Sequence, residues 1–340
     1  MDIITSFFSK NYDKGLSYES CELLEHGLHL HMTGVKHCCM NFHSAGGINE
    51  IMCSVDDLAE NYQKIFNLKR KYKNQLKKGH PIQACSGCGA LKTKVWDNND
   101  YFNHIIFETN FNCNAKCIYC INEEKAKKLY DFSQFYVLDI FTKFVNEGIL
   151  VAGGLIEFGG GEPTLNTEFE GLVNLFLDNS FPLLKIHTSG IKYSPAIERC
   201  LSEGKGDVII SVDSGSREIY EKIKRVHSFD IVWDNLRRYA AAQKHSYRQV
   251  KAKYIFLPGI NTTEKEVDNF LSNVVDVGIK SVRFDIEYSW YQRFKNNKEA
   301  MKILLSILYR AKNKAINLTD IECHFNAQAE CALREQSLNL

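Results

Sequence analysis

The chain has 340 residues, of which 44% are hydrophobic and 24% charged, an ordinary balance for a globular protein that can bury a large core. Its 42 Lys and Arg residues nearly cancel its 41 Asp and Glu residues, so no overall field draws it toward nucleic acid or anionic lipid. No apolar run approaches the ~18 residues that cross a bilayer, and the first residues do not resemble a signal peptide, so we expect a cytoplasmic protein that binds neither nucleic acid nor membrane.

The first hundred residues show no regular alternation of strands and helices. Residues 28–32 predict a strand that turns at Thr33 and Gly34, and residues 55–76 predict a polar helix. The Asn- and Asp-rich stretch at 97–100 marks the predicted end of a small, cysteine-rich α+β domain, residues 1–98.

From about residue 104 onward, short apolar runs alternate with amphipathic stretches. The predicted strands cover residues 104–108, 155–158, 184–187, 208–212, 251–257 and 281–286. The predicted helices cover residues 132–146, 167–178, 195–202, 217–224, 231–243, 263–277 and 297–312. We expect Thr262 or Thr263 to cap the helix that begins at 263. This alternation indicates βαβ units and a parallel sheet, either a partial barrel or a doubly wound sheet.

Twelve cysteines are unusual for a chain expected in a reducing compartment, where a disulfide framework does not persist. Cys113, Cys117 and Cys120 follow the first strand of the alternating region with the spacing C-x3-C-x2-C. Three thiolates on one short loop can bind one metal centre, and three ligands for a four-iron cluster leave one iron open. The alternatives are a structural zinc or an electron-transfer cluster, both of which favour a fourth ligand nearby.

This loop, with Tyr119 before its last cysteine, resembles the signature of radical S-adenosylmethionine (radical SAM) enzymes. The resemblance implies a partial (β/α)6 TIM-type barrel, here residues 99–290, followed by a C-terminal helical extension, residues 291–340. It implies that a [4Fe–4S] cluster on these cysteines binds S-adenosylmethionine at its open iron and splits it with one electron. The resulting 5′-deoxyadenosyl radical abstracts hydrogen from a substrate. It also implies an electron donor such as flavodoxin or ferredoxin.

Polar and glycine-rich segments end the following strands, where barrel enzymes place their sites. The run Gly160-Gly161-Glu162 resembles the GGE motif of the family, the segment around Thr188 resembles its T-N-G ending, and Ser211 with Asp213 resembles its S-x-D ending. The resemblance implies contacts with S-adenosylmethionine by the residues Tyr119, Gly160, Gly161, Glu162, Thr188, Ser211 and Asp213. Ser211 and Asp213 have an alternative role as caps of the next helix.

Polar residues on later strands and loops either line a substrate cavity or form ordinary polar surface: Lys253, Tyr254, Asn261, Arg283, Asp285 and Glu287. The sequence singles out no catalytic side chain.

A second group of cysteines precedes the barrel: Cys21, the pair Cys38-Cys39, and the C-x2-C pair Cys85 and Cys88. Such a pair with two remote cysteines can form a four-thiolate site. The arrangement resembles the auxiliary domain called SPASM, or its shorter relative twitch, although those usually follow the barrel. The resemblance implies a second [4Fe–4S] cluster on Cys21, Cys39 (or Cys38), Cys85 and Cys88; zinc or buried free thiols are the alternatives. The remaining cysteines are interpreted as core or incidental residues: Cys53, Cys200, Cys323 and Cys331.

The expected function is reductive cleavage of S-adenosylmethionine and hydrogen abstraction from an unidentified substrate, a peptide or protein side chain. The alternative substrate is a carbohydrate or other small molecule that is oxidised or rearranged. The alternative of another class is a non-catalytic zinc or iron–sulfur interaction protein.

Overall fold

The structure is a computed structural model that describes residues 17–38, 51–86, 88–97, 99–120, 135–244, 249–287, 306 and 320–324. Four predictions therefore fall largely or wholly outside the described residues: Cys39, Cys331, the helix over 297–312 and the helical extension over 291–340. None of the helices that the structure describes combines the length and the apolar composition that a bilayer crossing requires.

The chain divides into two compact units, and no single cut in the sequence separates them. The first unit comprises residues 1–106 and 139–151, and the second comprises residues 107–138 and 152–340. The chain therefore passes from one unit to the other three times.

The first unit begins with short elements around a hairpin. Its elements in chain order are β1 (Ser17–Ser20), α1 (Glu22–His26), β2 (Gly27–His31), β3 (Gly34–Lys36), α2 (Leu58–Lys77) and β4 (Lys92–Val95). The strands β2 and β3 pair antiparallel across a turn with His31 opposite Gly34, which confirms the predicted turn. The predicted polar helix is confirmed as α2, which starts at Leu58.

The long helix α2 owes its place to one apolar face. Leu58, Ile65 and Phe66 recur at helical spacing and are buried. The ring of Phe66 stacks on Phe102 with centroids 4.6 Å apart, and Phe102 stacks on Phe144 at 6.3 Å. Burying each phenylalanine is worth about 1.5–3 kcal/mol, so these rings stabilise a helix whose other faces are polar.

The second unit contains the alternating region, and the predicted parallel sheet is confirmed. The strand β5 (His104–Glu108) and the helix α3 (Leu138–Asn146) each cross a division between the units. The later elements are β6 (Leu155–Phe158), α4 (Phe169–Asp178), β7 (Leu183–Thr188), α5 (Pro195–Ser202), β8 (Gly206–Ser211), α6 (Arg217–Lys224), α7 (Phe229–Ala242), β9 (Val250–Phe256), α8 (Glu264–Asp276), β10 (Ser281–Ile286) and β11 (Asp320–His324). The strand order β11-β10-β9-β8-β7-β6-β5 is that of a partial (β/α) barrel.

The strand β11 corrects one expectation about the C-terminal segment. Residues 291–340 were expected to be helical, yet residues 320–324 pair parallel with β10, Ser281 lying opposite Asp320. Residues 320–324 read DIECH, a short segment in which charged and apolar residues are mixed. Such a pattern does not distinguish a strand from a loop.

Helix starts differ from the predictions where a distant side chain provides the cap. Of the predicted helix over 132–146, the described residues form α3 from Leu138, and Glu168 Oε2 accepts hydrogen bonds from the backbone N–H groups of Val137 and Leu138 at its start. By contrast, Thr263 caps α8 with its own side chain, accepting from Glu266 N at 3.3 Å, as the sequence predicts.

The two faces of the parallel sheet have different chemistry. On the face that packs against the helices, Phe107 stacks on Phe158 at 4.9 Å and Phe158 meets Phe169 at 5.2 Å. Because strand side chains alternate, the residues next to these point to the opposite face. That opposite face bears polar side chains such as Glu157 and His187, so a polar surface leads to the carboxyl ends of the strands.

Candidate active site

A cavity of about 350 Å³ lies at the carboxyl ends of β5 to β9. It brings together the predicted first-cluster and cofactor residues, with one exception. Those that line it are Cys113, Cys117, Tyr119, Cys120, Gly160, Gly161, Glu162, Thr188 and Ser211. Asp213 is the exception, since it is fully buried and is absent from the cavity wall.

The cysteine loop is attached by its backbone to the end of α6. Lys116 N donates to Lys224 O at 2.9 Å, and Ile118 N donates to Ile223 O at 3.0 Å. Within the loop, Cys120 N donates to Cys117 O at 3.0 Å, and Ala115 N donates to Cys113 Sγ at 3.4 Å. Main-chain bonds to α6 and bonds within the loop therefore fix its curved path.

The three thiols of this loop line one cavity. Partial removal from water raises the pKa of the Cys113 thiol to about 12, with further increases from the charges of Glu162, Cys117 and Cys120. A bound metal cation would lower the pKa of these thiols, because the deprotonated thiolate is the form that binds metal. Among the described residues, no three His, Cys, Asp or Glu side chains lie close enough together to hold a single metal ion. The common cavity of the three thiols is thus the observation that fits an iron–sulfur cluster.

The glycine run lies directly against the cysteine loop. Gly161 N donates to Asn110 O at 3.0 Å, and Glu162 N donates to Asn112 O at 2.7 Å. A Cβ atom at Gly161 would lie 2.5 Å from Asn112 O, and Gly160 has a φ of 92°. Only glycine permits this close approach and this backbone conformation without strain.

The carboxylate of Glu162 joins the ends of β6 and β7. Its Oε1 accepts from the hydroxyls of Thr164 at 2.6 Å and Thr188 at 2.8 Å, and its Oε2 accepts from Ser189 N at 2.6 Å. The side chain is fully buried. Glu162 and Thr188 were predicted to contact the cofactor, and their side chains also bond to each other.

Asp213 belongs to a buried group next to the cysteine loop. Its Oδ2 accepts from Tyr119 OH and from Lys224 Nζ, both at 2.5 Å, and its Oδ1 accepts from Ile255 N at 2.7 Å. Burial lowers the pKa of Lys224, but the Asp213 and Cys117 charges outweigh it and raise that pKa above its ordinary value. The ammonium and the carboxylate therefore form an ion pair.

Ser211 and Asp213 do not cap the next helix, α6, which was their alternative role. The N-terminus of α6 follows Ser216, and Glu266 Oε1 accepts from the backbone N–H groups of Gly215 at 2.7 Å and Ser216 at 3.0 Å. Glu266, on α8, thus holds the backbone just before α6, the N-cap residue is Ser216, and Ser211 remains on the cavity wall.

Sequence reasoning missed Lys224, which reaches both Tyr119 and Asp213. One signal was available: Tyr220, Ile223 and Lys224 recur at helical spacing on the buried face of α6. A lysine on an apolar face requires a buried partner, because an unpaired buried charge is costly.

Charged side chains cover the inner face of the sheet beside the cavity. Glu157 Oε1 lies 3.0 Å from His187 Nε2 and 3.3 Å from Lys185 Nζ. Burial alone would raise the pKa of Glu157, but these two partners lower it to about 2. On β9 and β10, Lys253 Nζ lies 2.9 Å from Asp285 Oδ2, and Arg283 Nε lies 3.3 Å from its Oδ1.

The candidate substrate residues on the later strands separate into two groups. Lys253 lines the cavity, and Arg283 and Asp285 lie next to it on the same face. His187, from the earlier strand β7, also lines the cavity. Tyr254 and Asn261 are fully buried, Tyr254 OH donating to Asn261 O at 2.6 Å, so they support the backbone.

The first unit holds the second group of cysteines. Cys21 belongs to a buried cluster with Leu23 and Ile82, against which Cys38 and Cys85 pack. Burial raises the pKa of the Cys85 thiol to about 12, with additional increases from Cys21, Cys38 and Cys88. Four cysteines therefore lie together, and Cys38 is the member of the Cys38-Cys39 pair that the structure describes there. Of the cysteines predicted to be core residues, Cys200 is confirmed as fully buried.

Comparisons with known proteins concern mainly the second unit. A family model described as "Radical SAM superfamily" matches residues 107–271. A GTP 3',8-cyclase from Desulforamulus reducens is 24% identical over 170 residues, which are 49% of this chain and 50% of that protein. The mycofactocin maturase MftC of Mycobacterium tuberculosis is 26% identical over 139 residues, 41% of this chain and 34% of that protein.

One solved structure has the same fold over most of the chain. It is Streptococcus suis SuiB bound to precursor peptide SuiA, with a TM-score of 0.52, 12% identity, and coverage of 86% of this chain and 60% of SuiB. This chain spans about half the length of the cyclase that it matches.

Proposed function

We propose, from the radical SAM domain that this chain contains at residues 107–271, that it cleaves S-adenosylmethionine reductively and takes hydrogen from a substrate. The family uses a [4Fe–4S] cluster with S-adenosylmethionine, which together supply the 5′-deoxyadenosyl radical. One observation carries the proposal: the three-cysteine loop and the glycine run contact each other and line one cavity.

The residues of the cavity have separate tasks in this proposal. Cys113, Cys117 and Cys120 hold the cluster through their thiolates and leave one iron without a protein ligand. The backbone of Gly160 and Gly161 receives the amino group of the methionine part, and Glu162 holds the neighbouring strand ends in register. The hydroxyls of Thr188 and Ser211, both on the cavity wall, are available to polar groups of the cofactor.

We propose a peptide or protein side chain as the substrate, with an electron donor such as flavodoxin or ferredoxin. Support comes from the precursor peptide bound to SuiB and from the name of the maturase relative. A likeness at this identity is an analogy of fold, so the substrate requires its own test.

A small polar molecule, such as a carbohydrate, is the second candidate substrate. The charged inner face favours it, because barrel interiors are usually filled by bulky branched residues. Here Lys253 and His187 border the cavity instead, with side chains 16% and 29% exposed. Hydrogen-bonding groups at such a place suit a substrate rich in hydroxyls or charge.

The proposal is tested by replacing one cluster ligand. We expect the anaerobically reconstituted Cys117→Ala variant to release no 5′-deoxyadenosine when reduced with dithionite in the presence of S-adenosylmethionine. Cys53→Ala, outside both cysteine groups, is the matched control and should retain the parent rate. Normal release from Cys117→Ala would contradict the proposal. A colourless, zinc-containing parent protein would favour a non-catalytic interaction protein.

We also propose a second [4Fe–4S] cluster in the first unit, held by Cys21, Cys38, Cys85 and Cys88. The grouping of these cysteines supports it. Zinc is the alternative for the same ligands, and it would need at least three of them closer together than the described residues place them. The assignment takes Cys38 in place of Cys39, which lies outside the described residues.

A further inference from the structure

A buried lysine lies beside the second cysteine group without a carboxylate partner. Lys69, on α2, is 1% exposed. Its Nζ donates to Leu23 O at 2.9 Å and Leu24 O at 3.0 Å, and no carboxylate of the described residues lies within ion-pair distance. Glu25 is instead paired with Lys73, 3.8 Å from its Nζ. Burial lowers the pKa of Lys69 to about 7, and the negative charges of Cys21, Glu25 and Cys38 oppose that decrease, so thiolates at this place favour the charged ammonium.

A buried imidazole in the same region lacks hydrogen-bond partners. His37 is 1% exposed, and neither ring nitrogen has a partner among the described residues. Its ring meets Tyr72 edge-on, with centroids 5.3 Å apart. A neutral imidazole always carries one N–H donor, and an unmade buried hydrogen bond costs about 1–3 kcal/mol. Among the described residues, the ring N–H of His37 therefore has no acceptor, just as the ammonium of Lys69 has no carboxylate partner.

Both groups lie next to the cysteines. Leu23 and Leu24, whose carbonyls bind Lys69, are in the same buried cluster as Cys21. Tyr72, which contacts His37, packs against that cluster together with Cys38 and Cys85. The pKa of the Cys21 thiol is consistent with this proximity. Burial raises that pKa, and the positive charge of Lys69 opposes the increase.

We infer that Lys69 and His37 are the outer partners of the second cluster and raise its reduction potential. This inference rests on the second cluster proposed above. Four thiolates outweigh the positive charge of a [4Fe–4S] core, and each one-electron reduction adds a further negative charge without a proton. A fixed cation and an N–H donor beside the thiolates stabilise the reduced form more than the oxidised form.

The consequence is a division of tasks between two clusters. The first must be a strong reductant to split a sulfonium, whereas a cluster raised in potential accepts electrons more readily.

The test measures the midpoint potential of the second cluster in the full chain. A Cys117→Ala background leaves this cluster as the redox centre, and dithionite supplies the single electron. We expect Lys69→Met and His37→Phe to move the midpoint to more negative values, with the larger shift for Lys69→Met. Lys71→Met, an exposed lysine on the same helix, is the control and should leave it unchanged.

The outcomes separate this inference from the proposal beneath it. If Cys85→Ala/Cys88→Ala retains all the iron of the parent, the second cluster itself is wrong. If that variant loses iron but Lys69→Met keeps the parent midpoint, only the role of Lys69 is wrong. If Lys69→Met loses the cluster, the iron content of Lys69→Arg is measured instead. Iron retained in Lys69→Arg supports a role for the positive charge, and iron lost in both variants overturns the inference.

Discussion

At the scale of single residues, Gly161 is the position where the two motifs of the cavity meet. A Cβ atom there would lie 2.5 Å from the main-chain oxygen of Asn112, whereas one at Gly159 would meet nothing within 4 Å. We expect Gly161→Ala to weaken S-adenosylmethionine binding and slow 5′-deoxyadenosine formation by up to about 100-fold, because a displacement near 1 Å misplaces the reactants. Gly159→Ala is the control, measured by equilibrium binding and product release.

Equal binding by the two alanine variants would show that the docking of the loops does not position the cofactor. The comparison is specific, because both substitutions add one methyl group to the same short run.

Residue identities were predictable where motif and strand end coincide. The cysteine loop and the glycine run each follow a predicted strand, and parallel strands bring their carboxyl ends to one edge. Asp213 shows the limit of this reasoning. Its partner Lys224 lies 11 positions later on a helix, and spacing alone does not reveal that the two side chains meet.

At the scale of elements, the helix α6 carries Lys224, whose buried pair with Asp213 contacts the hydroxyl of Tyr119 in the cysteine loop. The two side chains are 2% and 0% exposed. We expect Lys224→Met to lower the free energy of unfolding by about 3–5 kcal/mol, because it leaves the Asp213 carboxylate buried and unpaired. Chemical denaturation measures the loss.

Two further variants identify the cause of that loss. Lys222→Met, on the exposed side of α6, should change the unfolding free energy by less than about 0.5 kcal/mol. Adding Asp213→Asn to Lys224→Met should restore part of the stability, since it removes the unpaired charge. No recovery in the double variant would indicate that packing, not charge, is responsible.

Elements were predictable to different degrees for physical reasons. The six strands from β5 to β10 have strong apolar runs, and Thr263 caps α8 locally, so both could be identified from the chain. The start of α3 depends on Glu168, and the pairing of β11 depends on β10, which are contacts between distant segments. Such contacts leave no local signal.

At the scale of the whole molecule, a buried histidine links stability to pH. His26 in the first unit is 3% exposed, with Nδ1 3.2 Å from Tyr101 O. Burial lowers the pKa of His26 from 6.5 to about 4. Between these values the unfolded chain binds a proton that the folded chain does not, so stability is present above pH 6.5 and falls as the pH drops toward 4.

We expect protonation linked to His26 to lower the free energy of unfolding by about 3 kcal/mol between pH 6.5 and pH 4, at ~1.4 kcal/mol per pKa unit. His26→Asn keeps a donor for the Tyr101 carbonyl but does not titrate. Urea unfolding at pH values from 7 to about 4 should show a shallower pH dependence for this variant. An unchanged slope would assign the pH dependence to other groups.

The division of the chain was the least predictable feature. The predicted boundary at residue 98 rests on a local polar stretch, whereas the first unit extends to residue 106 and also includes residues 139–151. Ring contacts such as that between Phe102 and Phe144 hold the later segment there. A contact between residues so far apart depends on packing, which composition does not display.

The split course of the first unit affects how the protein is made. Phe66 and Phe102 leave the ribosome before Phe144, the third ring of their stack. At translation rates of about 5–20 residues per second, Phe102 waits on the order of 2–8 s for it and Phe66 about 4–16 s. During that interval a nascent chain exposes aromatic surface that chaperones recognise, so newly synthesised protein is more vulnerable to aggregation than the finished fold.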